Sequence, residues 1–178
     1  MFIPRKRTTP NDSTKYVISK NAIEITQKVL QDYAHLKPSN EGLVYWCGKK
    51  THDTVSISLV IAPKTTSDWG YISTSNRANF DLVKTLAEKN QIHIGQVHSH
   101  PGTVVDHSDG DDLDASFKTE GLISIVVPNY CKDGFLPLTT CGVHRYNQGN
   151  FQRFSDKYVS EHFEISEKLS CDFVDFRK

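Results

Sequence analysis

Two histidines, His98 and His100, follow directly on a largely apolar run from Ile92 to Val97. The run has the length and composition of a β-strand, and residues i and i+2 of a strand point to the same face of its sheet. Two imidazole rings at this spacing therefore face the same side and are able to bind one metal ion. In any fold of this chain, a strand is expected to end at that histidine pair. This segment therefore constrains the architecture more than any other.

A carboxylate follows the histidines at the start of a predicted short helix. Two histidines, one aspartate and an open fourth position are the ligand set typical of a catalytic zinc, whereas a structural zinc usually has four protein ligands. The residue types alone leave a structural or surface role open for the histidines. They also leave open which aspartate is the third ligand, because five stand nearby: Asp106, Asp109, Asp111, Asp112 and Asp114.

The composition favours one globular domain. The 178 residues are 37% hydrophobic and 24% charged, which suits a chain with one sizeable core. Lys+Arg and Asp+Glu are both 21, so we expect neither nucleic acid nor an anionic membrane as a partner. No apolar run approaches the roughly 18 residues of a membrane span, and the basic N-terminus lacks the apolar segment of a secretory signal, so we expect a cytoplasmic protein.

The four cysteines form no C-x-x-C pair, which argues against a cysteine-based zinc site. In a reducing cytoplasm we expect them to be buried free thiols, with a disulfide between two of them as the alternative.

Hydrophobic periodicity predicts an α/β fold with a mixed sheet and helices packed on it, in one domain. Residues 1–14 are polar and are predicted to form a flexible N-terminal arm, and residues 15–178 form the domain, which includes a C-terminal helix. Residues 63–71 are predicted to form a loop. The predicted helices cover residues 19–36, 76–90, 108–118 and 156–169. The predicted strands cover residues 16–18, 43–47, 55–61, 92–100, 122–127, 138–146 and 151–154.

The spacing of the polar residues resembles a known signature. His98-x-His100, then seven residues, Ser108, two residues and Asp111, is similar to the signature of the JAMM (MPN+/Mov34) metallopeptidase family. Glu41, where a turn enters an apolar strand, resembles the catalytic glutamate of that family. The resemblance implies a single MPN/JAMM domain with a curved mixed sheet and a cytidine-deaminase-like architecture. It also selects Asp111 as the third ligand of one zinc ion per chain.

The resemblance implies a zinc-dependent isopeptidase, and each residue has a chemical role in that reaction. Three protein ligands leave a position for water, whose pKa zinc lowers toward neutrality. Glu41 is the candidate base, because a separate carboxylate must take the proton of this water and pass it to the leaving amine. Ser108 is the candidate donor to the oxyanion, with helix capping as the alternative.

The implied substrate is a ubiquitin-like protein, or a CD-NTase-type conjugate, joined through its C-terminal glycine to a lysine. Small family members of this kind occur in bacterial operons, including type II CBASS anti-phage operons, so antiviral defence is one implied setting. We expect the extended tail of the substrate to bind along residues 64–75 and the loop 102–107. A core position is the alternative for Trp69. The predicted contact residues are Trp69, Tyr71, Thr103 and Val104.

Other functions remain as alternatives. A peptidase that matures a sulfur-carrier or ubiquitin-like precursor would share the catalytic site and differ only in its substrate. A non-catalytic MPN scaffold would lack the metal ligands, which this chain retains. A cytidine deaminase would need Pro-Cys-x-x-Cys ligands, which are absent from the sequence.

Overall fold

The structure is a computed structural model that describes residues 7–36, 41–68 and 71–178. In this part of the chain the helices are α1 (Lys20–Leu36), α2 (Asn76–Lys89), α3 (Asp109–Asp114) and α4 (Asp156–His162). The strands are β1 (Lys15–Ser19), β2 (Leu43–Lys50), β3 (Thr54–Ala62), β4 (Thr65–Asp68), β5 (Tyr71–Thr74), β6 (Ile92–Ser99), β7 (Ile123–Val127), β8 (Gly142–Asn147), β9 (Asn150–Arg153), β10 (Phe163–Ser166) and β11 (Asp172–Asp175).

The described strands form one mixed sheet and a separate hairpin. The sheet has the order β10-β1-β3-β2-β6-β7-β8-β9, and β11 pairs with the second half of β3. β2 is antiparallel to both of its neighbours, whereas β6 and β7 are parallel. β4 and β5 pair only with each other. The expectation of an α/β fold with a mixed sheet is therefore confirmed.

Both faces of the sheet are buried, and the side chains of β2 point alternately into a core on each face. Val44 and Trp46 belong to the larger core, which contains residues from α1 and α4. Leu43 and Tyr45 belong to a smaller core that contains Leu82 of α2. Successive side chains of a strand point to opposite faces, so one strand supplies both cores.

The predicted helix over residues 156–169 is wrong beyond its first half. α4 ends at His162, and the next four residues form β10, parallel to β1. The ring of Phe163 stacks on Tyr16, with centroids 4.4 Å apart. Pairing with β1 satisfies backbone groups that a sheet edge would leave open, and this non-local gain outweighs the local helical pattern.

Three further predicted boundaries differ from the structure. The strand predicted over residues 138–146 begins only at Gly142, because Leu138–Thr140 form a 3₁₀ turn. α3 ends at Asp114, and the ammonium group of Lys118, predicted to lie in that helix, donates to the carbonyl of Leu113 at 3.0 Å. The predicted loop over residues 63–71 contains β4 and the start of β5. Cross-strand hydroxyl contacts such as Thr66 Oγ1 to Ser73 Oγ, at 3.0 Å, join this hairpin, and its strands are too short to show a clear pattern in the sequence.

The described part of the predicted N-terminal arm is hydrogen-bonded to the domain. The backbone N–H of Thr8 donates to Arg153, and its carbonyl accepts from Ser155, both at 2.7 Å. The carboxylate of Asp12 accepts from Arg145 and from the hydroxyl of Tyr158, also at 2.7 Å. Residues 1–6 lie outside the described residues, so the flexibility of the arm as a whole stays a prediction.

None of the helices in the described ranges combines the length and the apolar character needed to cross a membrane. The four cysteines are free, and three of them, Cys47, Cys131 and Cys141, are buried.

Candidate metal centre

The end of β6 and the start of α3 meet at the predicted metal site. His98 lies one residue before the end of β6, His100 follows the strand, and Asp111 lies in the first turn of α3. His98 is held on both sides, since it pairs with Leu43 of β2 and with Val126 of β7. The structure therefore brings the three predicted ligands together.

The three ligand groups are spaced as ligands of a single ion would be. His98 Nε2 lies 3.3 Å from His100 Nε2 and 3.4 Å from Asp111 Oδ1, and His100 Nε2 lies 3.2 Å from Asp111 Oδ2. In a tetrahedral site with bonds of about 2.0–2.1 Å, neighbouring ligand atoms are about 3.3–3.4 Å apart. Both the donor atoms and their spacing thus fit a tetrahedral divalent ion.

A backbone carbonyl orients the ring of His100. Its Nδ1 lies 2.9 Å from the carbonyl oxygen of Val104. A carbonyl only accepts, so Nδ1 carries the proton and Nε2 presents a free lone pair to the site. Val104, predicted to contact substrate, thus contributes its carbonyl to the site, while its side chain is exposed.

Ser108 and Asp111 bind each other in a reciprocal capping box. The N–H and the hydroxyl of Ser108 donate to Asp111 Oδ2 at 2.7 and 2.9 Å, and the N–H of Asp111 donates to Ser108 Oγ at 3.1 Å. Helix capping, the alternative role expected for Ser108, is therefore confirmed. It orients the ligand carboxylate, while the predicted contact of Ser108 with an oxyanion stays a prediction.

Glu41 is a buried carboxyl group next to the histidines. It precedes β2, where Leu43 pairs with His98, so the antiparallel register places Glu41 opposite His100. Only 4% of Glu41 is exposed, and this burial raises the pKa of its carboxyl group, although His100 and His98 oppose the shift. A carboxyl group with a raised pKa beside a metal site is suited to proton transfer.

Neighbouring groups of the site shift the pKa values of His100 and Asp111. Burial disfavours the charged form of His100, but Asp111 and Glu41 outweigh it, so the pKa of His100 is raised. Burial would raise the pKa of Asp111, but His98 and His100 hold it well below its usual range. The Asp111 carboxylate therefore stays ionised, as a metal ligand must. At His100, whose pKa is raised, a proton competes with a metal ion for the imidazole nitrogen.

A probable metalloprotease of Sinorhizobium fredii (strain NBRC 101917 / NGR234), y4jG, is 30% identical to this chain over 110 residues, which cover 57% of this chain and 67% of that protein. The chain belongs to the same family as this probable metalloprotease. No family model matches the sequence. The solution structure of protein DSY2949 from Desulfitobacterium hafniense has a TM-score of 0.64 and 17% sequence identity, over 86% of this chain and 94% of that one. At this identity the likeness supports the fold alone.

A small crevice lies beside the ligands, and both His98 and Asp111 line it. Ile72 and Thr74 of β5 line the same crevice. Tyr71 is the first residue of β5. Trp69 lies outside the described residues, and Thr103 is an exposed residue of the loop after β6. Substrate contacts at all four predicted positions stay predictions.

Several buried polar residues lie near the site, and no sequence pattern identified them as part of it. Ser99 is fully buried between the two histidines, and Ser124 is fully buried in β7. His107, interpreted from sequence as a loop residue, is only 3% exposed, and the preceding Asp106 is 5% exposed. The one available signal is that a polar residue within an apolar strand, such as Ser124, needs a buried hydrogen-bond partner.

Proposed function

We propose that this protein is a zinc-dependent peptidase of the JAMM type. It hydrolyses the bond after the C-terminal glycine of a ubiquitin-like or similarly conjugated protein. The proposal rests on the 3.2–3.4 Å spacing of the ligand atoms of His98, His100 and Asp111, in the sequence order of the JAMM signature. Membership in the family of a probable metalloprotease supports a metal-dependent peptidase.

The residues around the site divide the chemistry of peptide hydrolysis. A bound zinc would lower the pKa of the attacking water and polarise the substrate carbonyl. Glu41 takes a proton from the water and delivers it to the leaving amine, because it is a carboxylate near the site that does not belong to the ligand set. Ser108 donates to the oxyanion when rotation about its Cα–Cβ bond turns the hydroxyl away from Asp111.

The proposed substrate is an extended chain with a small residue at the cleavage site. β5 is paired on one edge only among the described strands, so an extended tail is able to add to its other edge beside the crevice. Glycine, the residue without a side chain, would bring its carbonyl to the crevice lined by His98 and Asp111 with the least steric hindrance. Residues 64–75 and the loop 102–107 supply the contacts in this proposal.

Two matched reporters test the proposed function. Both carry the same ubiquitin-like protein ending in Gly-Gly, joined in one to the ε-amine of a lysine in a fluorescent peptide and in the other to an α-amine. We expect the zinc-loaded protein to cleave the ε-linked reporter with the higher kcat/KM and to leave a product ending in glycine, as measured by mass spectrometry. Faster cleavage of the α-linked reporter would favour precursor maturation. No cleavage of either by protein that carries one zinc per chain would refute the peptidase.

A further inference from the structure

The loop between β6 and α3 passes from solvent-exposed to buried just before α3, the helix that carries Asp111. Residues 101–104 are exposed, whereas Asp106 is 5% and His107 is 3% exposed. Consecutive charged or polar residues in a loop are rarely buried without a specific set of partners. These two residues directly precede Ser108, which caps the helix that carries Asp111.

The backbone of Val105 packs closely against the sheet. A Cβ atom added to Gly142, the first residue of β8, would lie 1.7 Å from the carbonyl oxygen of Val105 and 2.8 Å from the ring of His144. Only glycine allows this approach, so the loop backbone packs directly on the start of β8.

Asp106 fixes the next position through a buried ion pair. Nη1 of Arg153, in β9, donates to Asp106 Oδ1 at 2.7 Å, and the two side chains are only 10% and 7% exposed. His144 Nε2 of β8 lies 3.9 Å from the same oxygen. His144 and Arg153 hold the pKa of Asp106 well below its usual range, so its carboxylate stays ionised. A charge-assisted hydrogen bond of this kind leaves the loop little freedom.

His107 joins three separate parts of the metal centre. Its Nδ1 lies 2.9 Å from Asp112 Oδ1, and its Nε2 lies 2.8 Å from Ser124 Oγ. A carboxylate accepts, so Nδ1 donates to Asp112 and Nε2 accepts from the Ser124 hydroxyl. The ring of His107 also packs against the ring of His98 at 5.6 Å and against Phe151 at 4.6 Å.

We propose that His107 is a positioning residue, which sets where the Asp111 carboxylate lies relative to the His98 ring. His107 touches one ligand directly, through its ring. It also holds α3, the helix that carries the ligand Asp111, through its hydrogen bond to Asp112. Asp106 keeps His107 in this place by its ion pair with Arg153. The inference rests on the proposed function, since it takes the two groups to be ligands of one zinc ion.

A purely structural role predicts a different result from a positioning role. If His107 only filled the core, a substitution would lower the stability of the folded protein without changing its affinity for zinc. If His107 sets the distance between two ligands, the folded variant binds zinc more weakly, because supporting residues around a metal site typically contribute about tenfold or more to metal affinity.

The test measures the dissociation constant of zinc by competition with a chromophoric chelator, on full-length protein shown by melting curves to be folded. His107→Phe keeps a ring against His98 and Phe151 but loses both hydrogen bonds. We expect a dissociation constant at least about tenfold higher than that of the wild type. Asp109→Asn removes an exposed negative charge from the same helix turn and is the matched control, with an unchanged constant.

Ser124→Ala keeps the inference testable if His107→Phe does not fold. It removes one hydroxyl, leaves Nε2 of His107 without its donor, and is expected to raise the dissociation constant by about threefold or more. Wild-type affinity in either folded variant would overturn the positioning role while leaving the proposed function intact. A wild-type protein that binds no zinc would instead overturn the proposed function, and the inference with it.

Discussion

Ser99 and Gly42 are joined by two hydrogen bonds. The N–H of Gly42 donates to Ser99 Oγ at 2.9 Å, and the N–H of Ser99 donates to the carbonyl of Gly42 at 3.1 Å. Ser99 lies between the two histidines and Gly42 follows Glu41, so these bonds tie the proposed base to the strand of the metal ligands. A Cβ on Gly42 would lie 2.9 Å from Leu30, so α1 also fixes this corner.

Ser99→Ala is expected to separate metal binding from catalysis. The buried N–H of Gly42 would lose its acceptor, which costs about 1–3 kcal/mol and lets Glu41 shift from its place. We expect the zinc content to stay near that of the wild type and kcat to fall by about tenfold to hundredfold, since small displacements of a catalytic group have effects of this size. Ser160→Ala, an exposed serine of α4, is the control. An unchanged kcat in Ser99→Ala would contradict this account.

Glu41→Gln is expected to abolish most of the turnover while zinc remains bound. The amide keeps the shape of the side chain but is unable to take a proton from water, and general acid–base catalysis typically contributes about 10²–10⁴-fold. The measurement is kcat on the ε-linked reporter, together with zinc content by elemental analysis. Glu164→Gln, at an exposed position of β10, controls for the loss of one negative charge. Turnover within threefold of the control would exclude Glu41 as the base.

Zinc is expected to stabilise the folded protein, and its removal to destabilise it. A ligand that binds only the folded state adds about 2.7 kcal/mol to the free energy of unfolding when its concentration is about 100 times Kd. Zinc added to chelator-treated wild-type protein should therefore raise Tm. His98→Ala and Asp111→Ala should show no such rise and should lack the bound zinc, whereas Asp109→Asn should behave like the wild type. Full zinc occupancy in both ligand variants would refute the ligand set.

The sequence predicted correctly those features that depend only on residues close together in the chain. Ser75, just before the predicted helix over residues 76–90, accepts from the N–H of Ala78, and Ser108 caps α3, the role given as its alternative from the sequence. The two-residue spacing of His98 and His100 specified that both rings face one side. In each case the interacting groups lie within four residues, so the sequence alone contains the relationship.

Long-range pairings were not accessible in the same way. Phe163 gave a helical pattern with its neighbours, yet it stacks on Tyr16. Asp106 was one of five aspartates close to the two histidines in the sequence, and its partner Arg153 is in β9. The tertiary arrangement of the strands determines which residues become such partners. Hydrophobic periodicity predicts that strands form, but it does not specify the order and register in which they pair.

His93 provides a prediction about acid stability that is independent of the metal ligands. Its ring packs edge-on against Tyr45 and Phe117, at 5.1 and 4.8 Å, and Nε2 donates to the carbonyl of Gly95 at 2.9 Å. Burial lowers the pKa of His93 to about 4, compared with about 6.5 in an unfolded chain. Between these values the unfolded chain binds a proton that the folded chain does not, so stability falls as the pH falls below about 6.5.

His93→Gln removes this titration and keeps an N–H donor for Gly95. Between pH 7 and pH 5, the free energy of unfolding of the wild type should therefore fall by about 2 kcal/mol more than that of the variant, because the unfolded wild type alone gains the proton on this side chain. Urea titrations of the chelator-treated proteins at each pH measure the difference, and the titration of the ligand histidines is common to both. Parallel stability curves for the two proteins would show that His93 titrates normally in the folded state and would contradict the prediction.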